Sequence, residues 1–297
     1  MISHHYSTPT PPKRVVSLGS RGFVAGRFGE LLKAKGVDLL AFSSSDLDLT
    51  KSESVTYLSE SLQPEDVVIM FSALTPDKGK DLKTYFSNMK MAEHVAAALE
   101  KSSPAHFIYI SSDAVYSPKE SHIDEETSCE AGDLYALMHL SREKIFQFCL
   151  RGIQKPLAIL RPCAVYGSGD THHSYGPNRF LKTALQEGKI TLFGEGEEIR
   201  DHLWIEDLVE WIWNAAVHRS EGVVNLVSGK GISFGEVARL IAKNVSHPVE
   251  IVTVPRQSPV THKEFNDSRT RAAFPNRPAT EFEKGIASMM KQTERTL

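Results

Sequence analysis

Tyr135 and His139 stand four residues apart in a stretch with helical spacing, so a phenol and an imidazole project from one helix face. Upstream, the apolar run 106–110 leads into Ser111-Ser112-Asp113-Ala114-Val115-Tyr116, which sets an alcohol and a carboxylate at the end of a strand. In open α/β sheets, the end of a strand and the start of the next helix border the crevice where ligands bind. Side chains of these types move protons. A free tyrosine titrates near pH ~10, so acting as a base near neutrality takes a positive neighbour.

A second candidate lies near the N-terminus. The apolar run 14–18 passes into Gly19-Ser20-Arg21-Gly22-Phe23-Val24-Ala25-Gly26 and then a helical pattern over 23–35. Glycines allow a tight turn and bring backbone amides against a pyrophosphate, where a helix N-terminus adds partial positive charge. The plain alternative is an ordinary strand-to-helix turn. The next strand ends in Ala41-Phe42-Ser43-Ser44-Ser45, with no carboxylate for a ribose 2′-hydroxyl. Arg21 with the serines suits a 2′-phosphate, unless Arg21 is simply solvated. The cofactor is therefore NAD or NADP, with the balance tipping to NADP.

These groups need a frame. Strand-like runs at 14–18, 37–42, 67–73, 106–110 and 156–160 alternate with helical patterns at 23–35, 82–101 and 134–150. That order predicts an α/β fold with a doubly wound parallel sheet of Rossmann type. After Arg161 the texture changes, and 166–179 reads as a long loop rich in Gly, Ser, His and Pro. Helical patterns at 205–218, 233–244 and 280–291 and strands at 223–227 and 249–254 follow. The division expected is a flexible tail over 1–12, a dinucleotide-binding domain over 13–162, and a smaller discontinuous substrate lobe over 163–297 that returns some segments to the large sheet.

Bulk properties narrow the classes. The 297 residues are 41% hydrophobic and 24% charged with a net charge of −3, and no basic stripe suggests nucleic acid. Cys129, Cys149 and Cys163 are odd in number and lack metal spacing, which points to a reduced, cytoplasmic setting. No apolar run reaches the ~18 residues of a membrane span, and the first residues lack a signal-peptide core. The pairs His4-His5 and His172-His173 have no further ligands at metal spacing, so no metal is expected.

Together, the glycine turn, the Ser-Ser-Asp-Ala-Val-Tyr stretch and the helix with Tyr135 resemble the extended short-chain dehydrogenase/reductases. Arg161-Pro162-Cys-Ala-Val-Tyr166-Gly167, Gly176-Pro177-Asn178-Arg179-Phe180 and Phe193-Gly194-Glu-Gly196-Glu-Glu-Ile-Arg200-Asp201 are similar to segments of that family's nucleotide-sugar epimerases, dehydratases and 4-ketoreductases. The resemblance covers nearly the whole chain from Lys13. It implies that Ser112 hydrogen-bonds the reacting sugar oxygen and that Tyr135 is the general acid/base beside a nicotinamide. The family places a lysine four residues after the tyrosine; here His139 stands there, and it is only partly charged near neutrality. A working variant, a slow or acid-shifted enzyme and a non-catalytic NAD(P)-binding sensor or scaffold all remain open. Asp113 matches the first residue of the dehydratases' Asp-Glu pair, but Ala114 replaces the glutamate, which favours epimerase or ketoreductase chemistry.

The resemblance also implies a nucleotide-sugar substrate, with Arg200 and Asn178 at the diphosphate, Phe193 lining the base pocket and Arg256 as a further diphosphate candidate. Arg161 replaces an asparagine of some epimerases. On the cofactor side it implies Asp48 at the adenine amine, Ala73 and Pro162 at strand ends beside the dinucleotide, and Asn88 bracing the sheet. It further implies a homodimer formed through the helix that carries Tyr135.

Overall fold

A computed structural model describes residues 2–170 and 175–294. In chain order the first half runs β1 (Ser3–His4), β2 (Arg14–Leu18), α1 (Phe23–Lys35), β3 (Asp38–Phe42), α2 (Glu53–Ser61), β4 (Val67–Met70), α3 (Leu82–Ser102), β5 (His106–Ile110), β6 (His122–Ile123), α4 (Leu134–Gly152) and β7 (Leu157–Pro162). The second half runs β8 (Ala164–Tyr166), α5 (Pro177–Glu187), β9 (Lys189–Phe193), β10 (Ile199–Trp204), α6 (Ile205–Val217), β11 (Ser220–Leu226), β12 (Gly231–Ser233), α7 (Phe234–Asn244), β13 (Glu250–Val254), β14 (Glu264–Phe265), α8 (Ser268–Ala273) and α9 (Phe282–Glu294).

The large sheet has the order β1-β11-β7-β5-β4-β2-β3, parallel except where β1 joins β11. Its central strands are apolar on both faces because helices cover both. Along them the side chains alternate. Val15, Val67, Ile69 and Ile108 face Phe28 and Leu32 of α1 and Trp211 and Ile212 of α6. Val16, Val68, Met70 and Phe107 face Val95 and Leu99 of α3 and Phe146 and Leu150 of α4. β2 lies between β3 and β4, so the chain order reverses there and opens a crevice at the strands' C-terminal ends. The expected Rossmann architecture is the one found.

Smaller sheets stand over that edge: β8, β10 and β12; β9 with β13; and β6 with β14. α6 and β11 return to the large sheet between pieces of this upper layer, β11 pairing with β7. The strand read as 67–73 stops at Met70. The amides of Phe71 and Ser72 both donate to the Leu18 carbonyl, at 2.9 and 3.0 Å, and fold the chain under the glycine turn.

The N-terminal segment departs from the expected free tail. Ser3 and His4 pair antiparallel with β11. His4 bonds Ser220 Oγ at 2.7 Å and the Ala273 carbonyl at 2.9 Å, and the amides of Tyr6 and Thr10 donate to His218 and Val217. The unpaired edge of β11 supplies the partners. Within the segment read as a long loop, α5 begins at Pro177, while His172 and His173 lie outside the described residues.

Candidate active site

β5 delivers two serines with different fates. Ser111 turns inward and donates to Glu143 of α4 at 2.6 Å. Ser112 stays at the strand's end, accepts from the Ala114 amide at 3.1 Å and so starts the short turn 113–115. Opposite, Asp133 caps α4 by accepting from the Ala136 amide at 2.8 Å, which fixes Tyr135 in the first turn. The Ser112 hydroxyl lies near enough to the Tyr135 phenol to influence its titration. Burial pushes the phenol up to about 12 and the Asp113 charge pushes the same way, while Ser112 and Arg142 pull it down.

His139 is 2% exposed and meets the Tyr135 ring edge-on, with centroids 4.7 Å apart. Its Nδ1 lies 2.7 Å from the Tyr109 hydroxyl, and its Nε2 has no partner among the described residues. Burial first, and the nearby Arg142 charge second, take its pKa down to about 3. The ring is therefore neutral and supplies no positive charge to Tyr135.

Beneath the site runs a buried network. Arg161 of β7 donates to both oxygens of Glu143, at 2.9 and 2.6 Å, and to the Tyr116 hydroxyl at 2.9 Å, which in turn donates to Asn225 at 2.8 Å. Arg161 is thus a structural ion pair under Ser111.

On the cofactor side, Gly19 has φ +96°, and a Cβ there would lie 2.8 Å from the Ser72 amide. Only glycine fits this approach. Gly22 precedes α1 without any side-chain cap, and the first turn, with Phe23 and Val24, holds no acidic residue. Open amides with partial positive charge suit a pyrophosphate. Asn88 of α3 clasps the chain after Ala73: its Oδ1 accepts from the Leu74 amide at 2.8 Å and its Nδ2 donates to the Leu74 carbonyl at 3.0 Å. Pro162 is buried at the end of β7 on the same sheet edge. Asp48, read as an adenine contact, spends its carboxylate on the Thr50 amide and hydroxyl, at 3.0 and 2.7 Å.

Asp46 was not singled out from the sequence because it stands beyond the end of β3. The loop folds back, so its carboxylate accepts from the Ser43 hydroxyl and amide at 2.6 and 2.8 Å. Those bonds, with a smaller contribution from the Arg21 charge, hold it below the usual carboxylate range. Arg21 and a carboxylate therefore share the end of β3.

The upper layer supplies the remaining candidates. Arg200 of β10 donates to the carbonyls of Ile199 and Thr261, at 2.8 and 2.6 Å, and lies over the Phe234 ring. Burial lowers its pKa, while the charges of Glu198 and of Asp113, next to Ser112, act to raise it. Phe193 is 41% exposed and packs against Tyr175 with centroids 5.2 Å apart. Arg256 is held by Glu197, Glu198 and the Phe193 carbonyl. Asn178 donates to Asp170 at 2.7 Å and accepts from the Gly167 amide at 3.0 Å, so it tethers its own loop. Lys263, unmarked by any motif, donates to the Asp113 carbonyl at 3.2 Å, 3.7 Å from that carboxylate. A cavity of about 70 Å³ opens beside Tyr135, lined in part by Leu74, Lys80, Asn88 and Asp133. No cluster of metal-ligating side chains occurs among the described residues.

Residues 15–227 match the model of the NAD dependent epimerase/dehydratase family. The chain belongs to that family. It is 25% identical over 225 residues to a protein of Bacillus subtilis named as an uncharacterized UDP-glucose epimerase, spanning 67% of this chain and 71% of the relative. It is 24% identical over 281 residues to a UDP-glucose 4-epimerase of Lactobacillus helveticus, spanning 82% and 85%. The fold is shared with the Thermus thermophilus UDP-glucose 4-epimerase solved with NAD, at TM-score 0.84 and 18% identity over 96% of this chain and 100% of that one. No helix among the described residues is long and apolar enough to cross a membrane.

Proposed function

We propose that this enzyme interconverts nucleotide-activated sugars by oxidising and reducing one sugar carbon, as a 4-epimerase or a 4-ketoreductase. The observation that carries the reading is the convergence of Ser112, at the end of β5, and Tyr135, in the first turn of α4, on the sheet edge that also holds the tight Gly19–Ser72 approach. A bound dinucleotide supplies the hydride acceptor and donor. Tyr135 takes the proton of the sugar hydroxyl as its carbon is oxidised and returns it on reduction, and Ser112 holds that oxygen in line. Arg200 meets the diphosphate and Phe193 the base, in keeping with the sugar nucleotides named for the relatives. Arg256 and Asn178 join them only by leaving their present partners.

Ala114 leaves no glutamate to remove a second sugar proton, which speaks against dehydration. For the cofactor, Arg21 favours a 2′-phosphate and Asp46 opposes it, so the choice turns on this pair, and NAD is the preferred partner while Asp46 is charged. Leu82 and Phe86 on α3 and Leu137 and Phe148 on α4 are exposed apolar side chains suited to a homodimer through these helices.

The neutral His139 favours one competing reading, a protein that binds dinucleotide without turnover. A panel of nucleotide sugars, with product stereochemistry followed by NMR, separates the two. Conversion without net cofactor loss marks the epimerase, and stoichiometric oxidation of the reduced nicotinamide marks the reductase. Tyr135→Phe is expected to lose activity by a factor of ~10² to 10⁴ with cofactor binding retained; full turnover in that variant sinks the proposed role.

A further inference from the structure

Tyr135, His139 and Arg142 recur at i, i+4 and i+7 along one face of α4. Arg142 is fully buried. Its guanidinium donates to the Asn88 carbonyl at 3.1 and 2.7 Å, to Asn88 Oδ1 at 3.0 Å and to the Ser72 carbonyl at 2.7 Å. All three acceptors are neutral. Among the described residues, no carboxylate pairs with Arg142, in contrast to Arg161, which holds Glu143. A buried charge without a counter-ion raises the tendency of its surroundings to take up negative charge. Two groups beside it can do so, the phenols of Tyr109 and Tyr135. Tyr109 is sealed in the core, whereas Tyr135 borders the cavity.

The other groups around Tyr135 do not supply a cation. From the turn after β5, Asp113 opposes ionisation, with Lys263 from the upper layer already engaged on it. From the start of α4, Asp133 opposes it too. From β5, Tyr109 is neutral and bonded to His139. Across the cavity, Lys80 stands beside Asp81 on the segment leading into α3, and the charges acting on Tyr135 are those of Asp113, Arg142 and Asp133.

We infer that Arg142 is the fixed positive charge against which the Tyr135 phenolate forms, a positioning residue that acts through Tyr135 and never touches the sugar. It also ties that charge to the cofactor floor, because the backbone it grips at Ser72 is the backbone that Gly19 touches. The inference rests on Tyr135 being the acid/base group.

The test uses full-length protein labelled at the oxygen-bearing ring carbon of tyrosine, with the Tyr135 resonance identified by its loss in Tyr135→Phe. Arg142→Gln is expected to raise the Tyr135 midpoint by about one pH unit or more and to lower kcat/KM about tenfold at each pH below it. Arg142→Lys keeps the charge and loses the fork, and its midpoint is expected to stay near that of the parent. Adding His139→Lys to Arg142→Gln restores a cation on the same helix face and is expected to bring the midpoint back. A midpoint that rises in Arg142→Lys as it does in Arg142→Gln, or one unmoved by either, overturns the inference. If Arg142→Gln does not fold, Arg142→Met is read in its place, and a Tyr135 midpoint unmoved by that loss of charge overturns the inference. An inactive Tyr135→Phe with an unmoved Tyr135 midpoint rejects Arg142 alone, whereas an active Tyr135→Phe rejects the acid/base reading itself.

Discussion

The Tyr109 hydroxyl lies 2.7 Å from Nδ1 of His139, deep between β5 and α4. With the phenol donating, the imidazole carries its proton on Nε2, beside the edge-on ring of Tyr135. His139 is then a neutral spacer. Its ring resonances are expected to stay constant from about pH 5 to 8, and titration near the free value of about 6.5 would show that burial does not control it.

Acid should weaken the fold. His106, His139 and His202 are buried and each is lowered from 6.5 to about 3. The unfolded chain takes up these protons below about 6.5 and the folded chain refuses them until about 3, so stability falls as pH drops through that window. Each histidine contributes about 1.4 kcal/mol per pH unit there. The check is the urea midpoint of unfolding, measured from neutral pH downward; a flat profile contradicts the shared burial.

Breaking the Arg161–Glu143 pair should cost far more than losing a surface ion pair. Arg161→Met leaves the Glu143 carboxylate buried and unpaired, and is expected to destabilise by about 3 to 5 kcal/mol. Adding Glu143→Leu should recover much of that loss. Equal losses in the single and double variants, by chemical denaturation, would mean that the arginine's packing matters more than its charge.

At the proposed reacting centre, Ser112→Ala removes the hydroxyl proposed to hold the sugar oxygen beside Tyr135. The expected result is a fall in kcat on the order of 10² with dinucleotide affinity unchanged. Calorimetric titration beside steady-state rates separates these quantities.

Cofactor choice offers an independent check. Asp46→Asn removes the charge facing Arg21 and should raise NADP affinity relative to NAD about tenfold, or about 1.4 kcal/mol. An unchanged ratio removes Asp46 from the ribose end of the site.

Local signals carried much of this. The strand–turn–helix around Gly19 and the Tyr135 helix follow from periodicity within a short window, and both stand where expected. What escaped reading depends on partners far along the chain. Arg142 looks like any helix arginine until α3 and the chain after β4 close over it. Lys263 reaches Asp113 across a separation of 150 residues, and a loop reversal brings Asp46 back to Ser43. The two-residue strand β1 has no propensity of its own and exists only because β11 offers an edge.

That borrowed strand also guards the molecule. With Ser3 and His4 in place, the first two residues of β11, Ser220 and Glu221, are paired and closed to another chain. Trimming or masking those first residues would open that stretch of ladder, so self-association gained only in a shortened preparation would report the lost cover.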